Sequence, residues 1–352
     1  MSLIKNNVLP LPENCRVSVF GRIQSNYYKS GTGSGGKVNV AKVYGLVDGF
    51  EESGKVVVNK DLQKIYADWE KENPYDEGLG WGQERWSQDE MPLTEKIVND
   101  AAAASDVAIV IIGRTAGEDK DNSNTEGSYL LTKAEEDMLA AVRKGFSKVV
   151  VLLNVGNIID MSFVEKYNPD SVMYVWQGGM LGGLGTADVL TGVVNPSGKL
   201  TDTIAKNISD YPSDKNFGKK EGNKYAEDIF VGYRYFESFA KDRVMYPFGY
   251  GLSYSTFEAK AVESANDEKA AVFTAAIEVA NTGKVPGKEV VQLYVEAPQG
   301  KLGKASRVLV DFAKTTTLPA GGKETLSFQV PYENFASYDD TGASVVSGGC
   351  KS

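Results

Sequence analysis

Apolar residues follow two different rhythms along this chain. Up to about residue 210, short unbroken apolar runs alternate with stretches of helical period. The runs at 16–21 (RVSVFG), 106–112 (DVAIVII), 149–154 (VVVLLN) and 171–176 (SVMYVW) are rich in β-branched residues and bounded by polar ones. That composition predicts strands, and the run at 106–112 reads as one buried on both faces. The clearest helix starts at Thr132, with Glu135 three positions on as a capping box, apolar Met138, Leu139 and Val142 on one face, and Gly145 as a stop. Strands alternating with helices predict a mostly parallel sheet covered on both faces.

From about residue 256 to 346 the helical period is lost. Strand patterns at 271–280, 288–296, 307–312 and 324–330 are separated by turn clusters at 281–283 (NTG), 298–300 (PQG) and 319–322 (PAGG). This pattern predicts an all-β sandwich of immunoglobulin or fibronectin type. The domain reading is therefore 1–204 for the α/β part, 205–255 for a connector rich in Lys, Asp, Gly and Tyr that crosses the surface in extended form, and 256–352 for the β-sandwich. Residues 60–95 carry Trp69, Trp81 and Trp86 among many charges. Trp69 has helical surroundings, whereas Trp81 and Trp86 sit in a Gly/Pro-punctuated stretch suited either to a small core or to lining a sugar site; packing is favoured for all three.

Composition narrows the function. The 352 residues suffice for two domains, and 42% hydrophobic with 24% charged residues is ordinary for a globular protein. A net charge of -9 argues against a nucleic-acid partner. No apolar stretch approaches a membrane span and the N-terminus lacks a signal-peptide h-region, so no membrane partner and a cytoplasmic location are expected. Cys15 and Cys350 form neither a disulfide nor a zinc pattern. Histidine is absent, which removes Ser-His-Asp and Cys-His mechanisms and most transition-metal sites. No metal and no cofactor are expected, and acid/base chemistry falls first to carboxylates.

Two motifs bear on that chemistry. The stretch 113–121 (GRTAGEDKD) directly follows the strand at 106–112, and open α/β sheets bind ligands just beyond the carboxyl ends of their strands. It begins an acidic loop holding Glu118, Asp119, Asp121 and Glu126. By itself such a loop before a helix is more often a solvated complement to the helix dipole than a catalytic one. The stretch 31–36 (GTGSGG) matches G-x-G-x-x-G, but nine residues separate it from Gly21 and the β-prone 38–40 (VNV) follows. A dinucleotide fingerprint opens a helix at a strand end; a mobile, closely approaching loop at the sheet edge fits better.

Further motifs occur in a fixed order: 6–11 (NNVLPL), 176–183 (WQGGMLGG), 195–200 (NPSGKL), 229–235 (IFVGYRY) and 246–254 (YPFGYGLSY). Together they closely resemble the non-barrel portion of glycoside hydrolase family 3, the β-glucosidase and β-xylosidase group, over nearly the whole chain. The resemblance implies an α/β fold, with a flavodoxin-like α/β sandwich of mostly parallel sheet followed by a fibronectin type III-like sandwich. In that family a (β/α)8 barrel carries the nucleophilic aspartate, some members place the barrel after these two domains, and no barrel is present here. The end at 348–352 (GGCKS) stops where similar proteins continue into one last strand, so truncation there is expected, with Met1-Ser-Leu3 as a cloning remnant.

The resemblance also assigns roles. The family's acid/base lies on a loop of the α/β sandwich, and the Ser-Gly-Glu-Gly-Tyr-Asp type of motif falls on 116–121 (AGEDKD), making Glu118 the catalytic residue. Another version of the motif resembles 125–128 (TEGS), which holds Glu126 in reserve although Tyr129 and Leu130 replace its Asp-Arg. Gly33, Ser34 and Asp121 are the candidate substrate-binding residues at the site edge. Residues 179–182 (GMLG) replace a frequent Gln-Glu pair, and Asp119 and Lys120 replace small and aromatic residues, both of which alter expected substrate contacts. The implied partners are a β-linked oligosaccharide or glycoside and the missing barrel of the same polypeptide, with a homo-oligomer left open. Without the barrel, Glu118 is expected to be exposed and mobile, and the chain alone to hydrolyse nothing. A non-catalytic carbohydrate-binding or scaffold protein is the alternative of a different class, and a nucleotide binder acting through residues 31–36 is the third.

Overall fold

A computed structural model describes the chain except for Ser34, Gly35, Lys37, Trp81, Asp119, Lys220, Lys301, Asp340, residues 342–343 and 346–352, with the backbone alone at 344 and 345. Cys350 therefore lies outside the described residues. The chain divides into two compact units, Met1–Gly198 and Lys199–Ser352.

The first unit is built on a six-stranded sheet. Its strands are β1 (Ser2–Asn6), β2 (Cys15–Phe20), β3 (Val56–Val58), β4 (Val107–Arg114), β5 (Val149–Val155) and β6 (Ser171–Tyr174), in the order β1-β6-β5-β4-β2-β3. β3, β2, β4, β5 and β6 run parallel, and β1 closes one edge antiparallel to β6. The helices are α1 (Leu46–Ser53), α2 (Lys60–Glu72), α3 (Glu95–Ala104), α4 (Lys133–Gly145), α5 (Phe163–Tyr167) and α6 (Gly182–Leu190). Every position of β4 and β5 is buried, as apolar runs without alternation require in a sheet covered on both faces. The capping box at Thr132 and Glu135 is present, and Gly145 is the last residue of α4.

Met1-Ser-Leu3 is integral to the sheet: Ser2 and Leu3 open β1, Leu3 pairs with Met173, and its side chain is fully buried. The loops that follow β2, β4, β5 and β6 all leave from the carboxyl edge of the parallel strands, where ligand sites of such sheets form.

The second unit is all antiparallel in its strands. β7 (Ile204–Ala205) pairs with β8 (Val244–Tyr246). β9 (Phe257–Asp267), β10 (Val272–Asn281) and β13 (Lys323–Pro331) form a sheet in the order β13-β10-β9, while β11 (Val290–Val295) pairs with β12 (Val308–Lys314). A last short pair joins β14 (Ser337–Tyr338) to β15 (Ser344–Val345). Period-two burial is clearest in β13, where Leu326, Phe328 and Val330 point inward and Thr325, Ser327 and Gln329 outward. Leu326 and Phe328 meet Ala275, Val279 and Leu318 in the core, with Val291 and Leu293 of β11 packed against them.

Two elements escaped the sequence pattern. β9 packs only Phe257 against the core and is exposed along the rest of its length, where its ladder with β10 defines it. Residues 205–255, read as an extended connector, contain α7 (Tyr233–Phe239) and a small core of Ala205, Phe236 and Ala240. The ring of Tyr211 meets that of Phe236 edge-on at 5.4 Å. Its aromatic residues give this Lys- and Gly-rich segment something to bury.

Phe328→Ala should destabilise the second unit by about 3–5 kcal/mol, the cost of deleting a buried phenylalanine. Denaturant unfolding of the variant checks it, and a loss below about 1 kcal/mol would remove Phe328 from the core.

Candidate active site

The site is organised by Arg114, the last residue of β4. Its side chain is buried, an unusual state for a guanidinium unless every donor finds an acceptor. Here all five do. Nε donates to Ser128 O at 3.0 Å, Nη1 to Gly113 O at 2.7 Å, and Nη2 to Leu130 O at 3.1 Å. The two terminal nitrogens also fork onto Glu135, at 2.5 Å to Oε1 and 2.6 Å to Oε2. Glu135 in turn accepts the Thr132 N–H at 2.8 Å, completing the capping box of α4. One ion pair thereby joins the end of β4, the return of the following loop and the start of the next helix.

Further bonds pin that loop along its length. Ser128 Oγ accepts the Ser123 N–H at 3.0 Å, Asn122 donates to Ile158 O at 2.8 Å, and the Asp160 N–H reaches Tyr129 O at 2.9 Å. Asn154, at the carboxyl end of β5, is fully buried and ties three segments together. Its amide donates to Tyr28 O at 3.0 Å and Trp176 O at 2.6 Å, and its oxygen accepts the Tyr28 N–H at 2.7 Å.

The tip of the loop is held by the glycine-rich stretch. Thr32 and Gly117 form a parallel bridge, and the Thr32 N–H donates to Ala116 O at 2.5 Å. Gly117, at φ +138°, turns so closely past Thr32 that a side chain has no room there. Gly33, at φ +88°, lies against Glu118: a Cβ at Gly33 would fall 2.6 Å from Glu118 Cβ and 3.0 Å from its Oε2. The G-x-G-x-x-G match thus serves a loop-to-loop clamp, and the segment after it (residues 38–45) enters no helix before α1.

Glu118 is exposed at this tip, and Asp121 is exposed three residues further on. Gly33 is brought to Glu118; Ser34 and Asp119 lie outside the described residues. Glu126 is exposed where the loop returns, and its carboxylate accepts the Lys133 N–H at the start of α4 at a long 3.4 Å. Trp86 borders the loop: its carbonyl accepts the Thr115 N–H at 2.9 Å, and Lys120 Nζ stands 5.5 Å from the centre of its ring. Trp69, on α2, packs under the Arg22 guanidinium at 5.0 Å.

Behind the loop lies a second buried charge. Glu90 accepts the Arg22 N–H at 2.9 Å, yet burial first, and then the Glu135 carboxylate, push its pKa up to about 8 against the pull of Arg22 and Arg114. Burial, with a smaller push from the Glu90 charge, also drives the Tyr66 phenol upward while its oxygen accepts the Gly21 N–H at 2.9 Å. No group of three His, Cys, Asp or Glu side chains that could hold a metal occurs among the described residues, and no helix among them is long and apolar enough to cross a membrane. Sequence reasoning missed the Arg114 hub, although an arginine ending a wholly apolar strand was a visible signal that a buried carboxylate must answer it.

Comparison with known proteins agrees with this architecture. The model of the glycosyl hydrolase family 3 C-terminal domain matches residues 1–254, and that of a fibronectin type III-like domain matches residues 289–351. A beta-glucosidase of Ruminococcus albus is 59% identical over 340 residues, which is 97% of this chain and 36% of the relative. A beta-glucosidase of Paenibacillus barengoltzii superposes with a TM-score of 0.94 at 52% identity, covering 97% of this chain and 38% of that one. Beta-glucosidase 3B from Thermotoga neapolitana, solved in complex with glucose, superposes with a TM-score of 0.87 at 35% identity over 96% of this chain and 48% of its own. The chain therefore spans between about a third and a half of the length of these relatives.

Arg114→Met should cost about 3–5 kcal/mol of stability, because it strands Glu135 as a buried charge without its partner. The double variant Arg114→Met with Glu135→Leu should recover most of that loss, measured by denaturant unfolding of the four members of the cycle. Glu90 sets a pH dependence of known sign. Between the usual carboxylate range and about 8, the folded state holds a proton that the unfolded state has released. Stability therefore falls as pH rises through that window. Glu90→Gln should flatten the fall; a pH 5–9 stability series identical to wild type would refute the burial argument.

Proposed function

The chain belongs to glycosyl hydrolase family 3, and from that premise we propose that it supplies the acid/base half of a retaining β-glucosidase active site. The observation that carries the reading is the presentation of Glu118: an exposed carboxylate at the tip of a loop leaving the carboxyl edge of a buried strand, with the backbone fixed behind it by Arg114 and beside it by Thr32 and Gly33.

Retaining hydrolysis needs two carboxyl groups about 5–5.5 Å apart across the bond being cut. One attacks the anomeric carbon. The other protonates the leaving oxygen and, in the second step, takes a proton from the water that releases the sugar. Glu118 performs the second role, and the nucleophilic aspartate belongs to the barrel that the family resemblance implies. Gly33 leaves the carboxylate accessible, since any side chain there would collide with it. Asp121 serves the edge of the site on the same loop. The capping contact of Glu126 to α4 supports Glu118 over it as the acid/base. The substrate is a terminal β-linked glucoside or a related β-glycoside, and the chain by itself hydrolyses none, because the nucleophile is elsewhere in the polypeptide.

In a polypeptide carrying the full length found in relatives, Glu118→Ala should lower kcat on glucosides with poor leaving groups by about 10²–10⁴-fold. Activated aryl glucosides should lose less, and azide should restore their turnover, because as an anionic nucleophile it displaces the carboxylate from the glycosyl-enzyme intermediate without a general base and leaves as the glycosyl azide. Glu126→Ala should stay within about threefold of wild type. The opposite pattern would transfer the role to Glu126, and no leaving-group dependence in either variant would remove the acid/base from this loop.

A further inference from the structure

We propose that Glu90 is a positioning residue for the Glu118 loop, and that ionisation of its buried carboxyl loosens the loop from the segment that supports it. That segment is residues 85–90 (RWSQDE). The coupling holds whichever carboxylate of the loop is catalytic, and only its effect on turnover rests on the role proposed for Glu118.

The segment lies against the loop at two points. Trp86 O accepts the Thr115 N–H at 2.9 Å where the loop leaves β4. Ser87 packs against Gly127 where the loop returns, so closely that a Cβ at residue 127 would fall 2.5 Å from Ser87 Oγ. The segment is also braced. Arg85 forks onto Asp89 at 3.1 and 2.6 Å. The Gln88 amide donates to Asp76 O and accepts the Asp76 N–H, both at 2.8 Å. A displacement at Glu90 is therefore carried to Trp86 and Ser87 instead of being absorbed between them.

Glu90 is held as a neutral group would be. Only 6% exposed, it accepts one hydrogen bond among the described residues, from the Arg22 N–H at 2.9 Å. An ionised carboxylate buried to that degree calls for more than one donor. An idle one exists on the same partner residue. Arg22 Nε is buried without an acceptor, while Nη1 donates to Asp89 O at 3.1 Å and Nη2 to Asn73 O at 2.5 Å. Arg114 has no N–H to spare, since Glu135 and three carbonyls take them all.

The charged and titratable groups that face Glu90 are the Arg22 guanidinium after β2, Tyr66 on α2, Arg114 on β4 and Glu135 on α4. Glu70, also on α2, acts on Tyr66 in turn. Burial, opposed by the Arg22 N–H and aided by the Glu135 charge, keeps the proton on Glu90 up to a pH of about 8. Above that, the carboxyl gives one proton to solvent and its charge draws the idle Nε. Arg22 then turns from Asp89 O, in the segment itself, and from Asn73 O, at the end of α2. The braced segment passes that shift to its two contacts on the loop.

The test follows the chain by NMR from pH 6 to 9.5, reading the ¹³C resonance of the Glu90 carboxyl and the methyl signals of Thr115 and Thr132. All three should titrate together with a midpoint of about 8. In Glu90→Gln the two methyl signals should stay still, and in Tyr66→Phe they should move as in wild type. A Glu90 midpoint below about 6 would overturn the proposal without any variant. Methyl signals that stay still while Glu90 titrates, or that titrate in Glu90→Gln, would overturn the coupling. In a polypeptide of the relatives' full length, kcat on activated aryl glucosides reports the second step, in which Glu118 works ionised. High pH does not by itself impair that form. From pH 7 to 9.5, kcat should fall by about threefold to tenfold in wild type and by less than about twofold in Glu90→Gln. Equal falls would overturn the positioning role. A Glu118→Ala variant without leaving-group dependence would overturn the acid/base reading instead and leave the NMR coupling standing.

Discussion

Arg114 and Glu135 form the interaction on which the first unit's working edge depends. A buried ion pair is a poor source of stability in general, because two charges must leave water. This one is sustainable since each N–H of the guanidinium meets an oxygen: three backbone carbonyls and both oxygens of one carboxylate. The same carboxylate closes the capping box at Thr132. The consequence is geometric more than energetic. The loop after β4 must leave and return within reach of one side chain, so its tip projects as a finger of fixed length from the sheet edge.

That finger is then steadied sideways by backbone pairing and by the Thr32 hydroxyl, which donates to Ala116 O at 3.3 Å. A side chain at residue 33 would occupy the space of Glu118, and one at residue 117 would meet the backbone of Thr32. Glycine at both positions therefore brings two loops to hydrogen-bonding distance at the point where the carboxylate is displayed. Asn154 performs the corresponding task one strand over, replacing with its own amide the partners that Tyr28 and Trp176 would otherwise lack. Loops placed by a rigid sheet and tied by satisfied polar groups can hold a functional group as firmly as a helix does.

Much of this was legible in the sequence, and the parts that were not share a cause. β4, β5 and β6 announced themselves because burial on both faces leaves no reason for alternation, and α4 because its cap and stop are local signals. Glu118 was named from motif resemblance. Spacing alone would have left it a solvated acid, since nothing local distinguishes it from Asp121. The clamp was hidden because it pairs residues 32 and 117, which no local pattern connects. β9 was hidden for a different reason: beyond Phe257 it is exposed and held by its ladder, which leaves no burial pattern to read. The core formed by Ala205, Phe236 and Ala240 was masked by a Lys- and Gly-rich composition, although the aromatic residues that build it were in view.

On the proposed reading, the arrangement explains how an acid/base carboxylate can be held ready before the group that works with it is in place. General acid/base chemistry needs the carboxylate in place before substrate arrives, because misplacement by about an ångström can cost on the order of a hundredfold in rate. A site completed by two bodies cannot rely on the second body to order the first without drawing on binding energy to do so. Here the ordering contacts of the loop, from Arg114 at its base to Thr32 at its tip, are made within residues 1–198. Glu118 itself stays exposed. The loop is organised from behind, and its tip is left open.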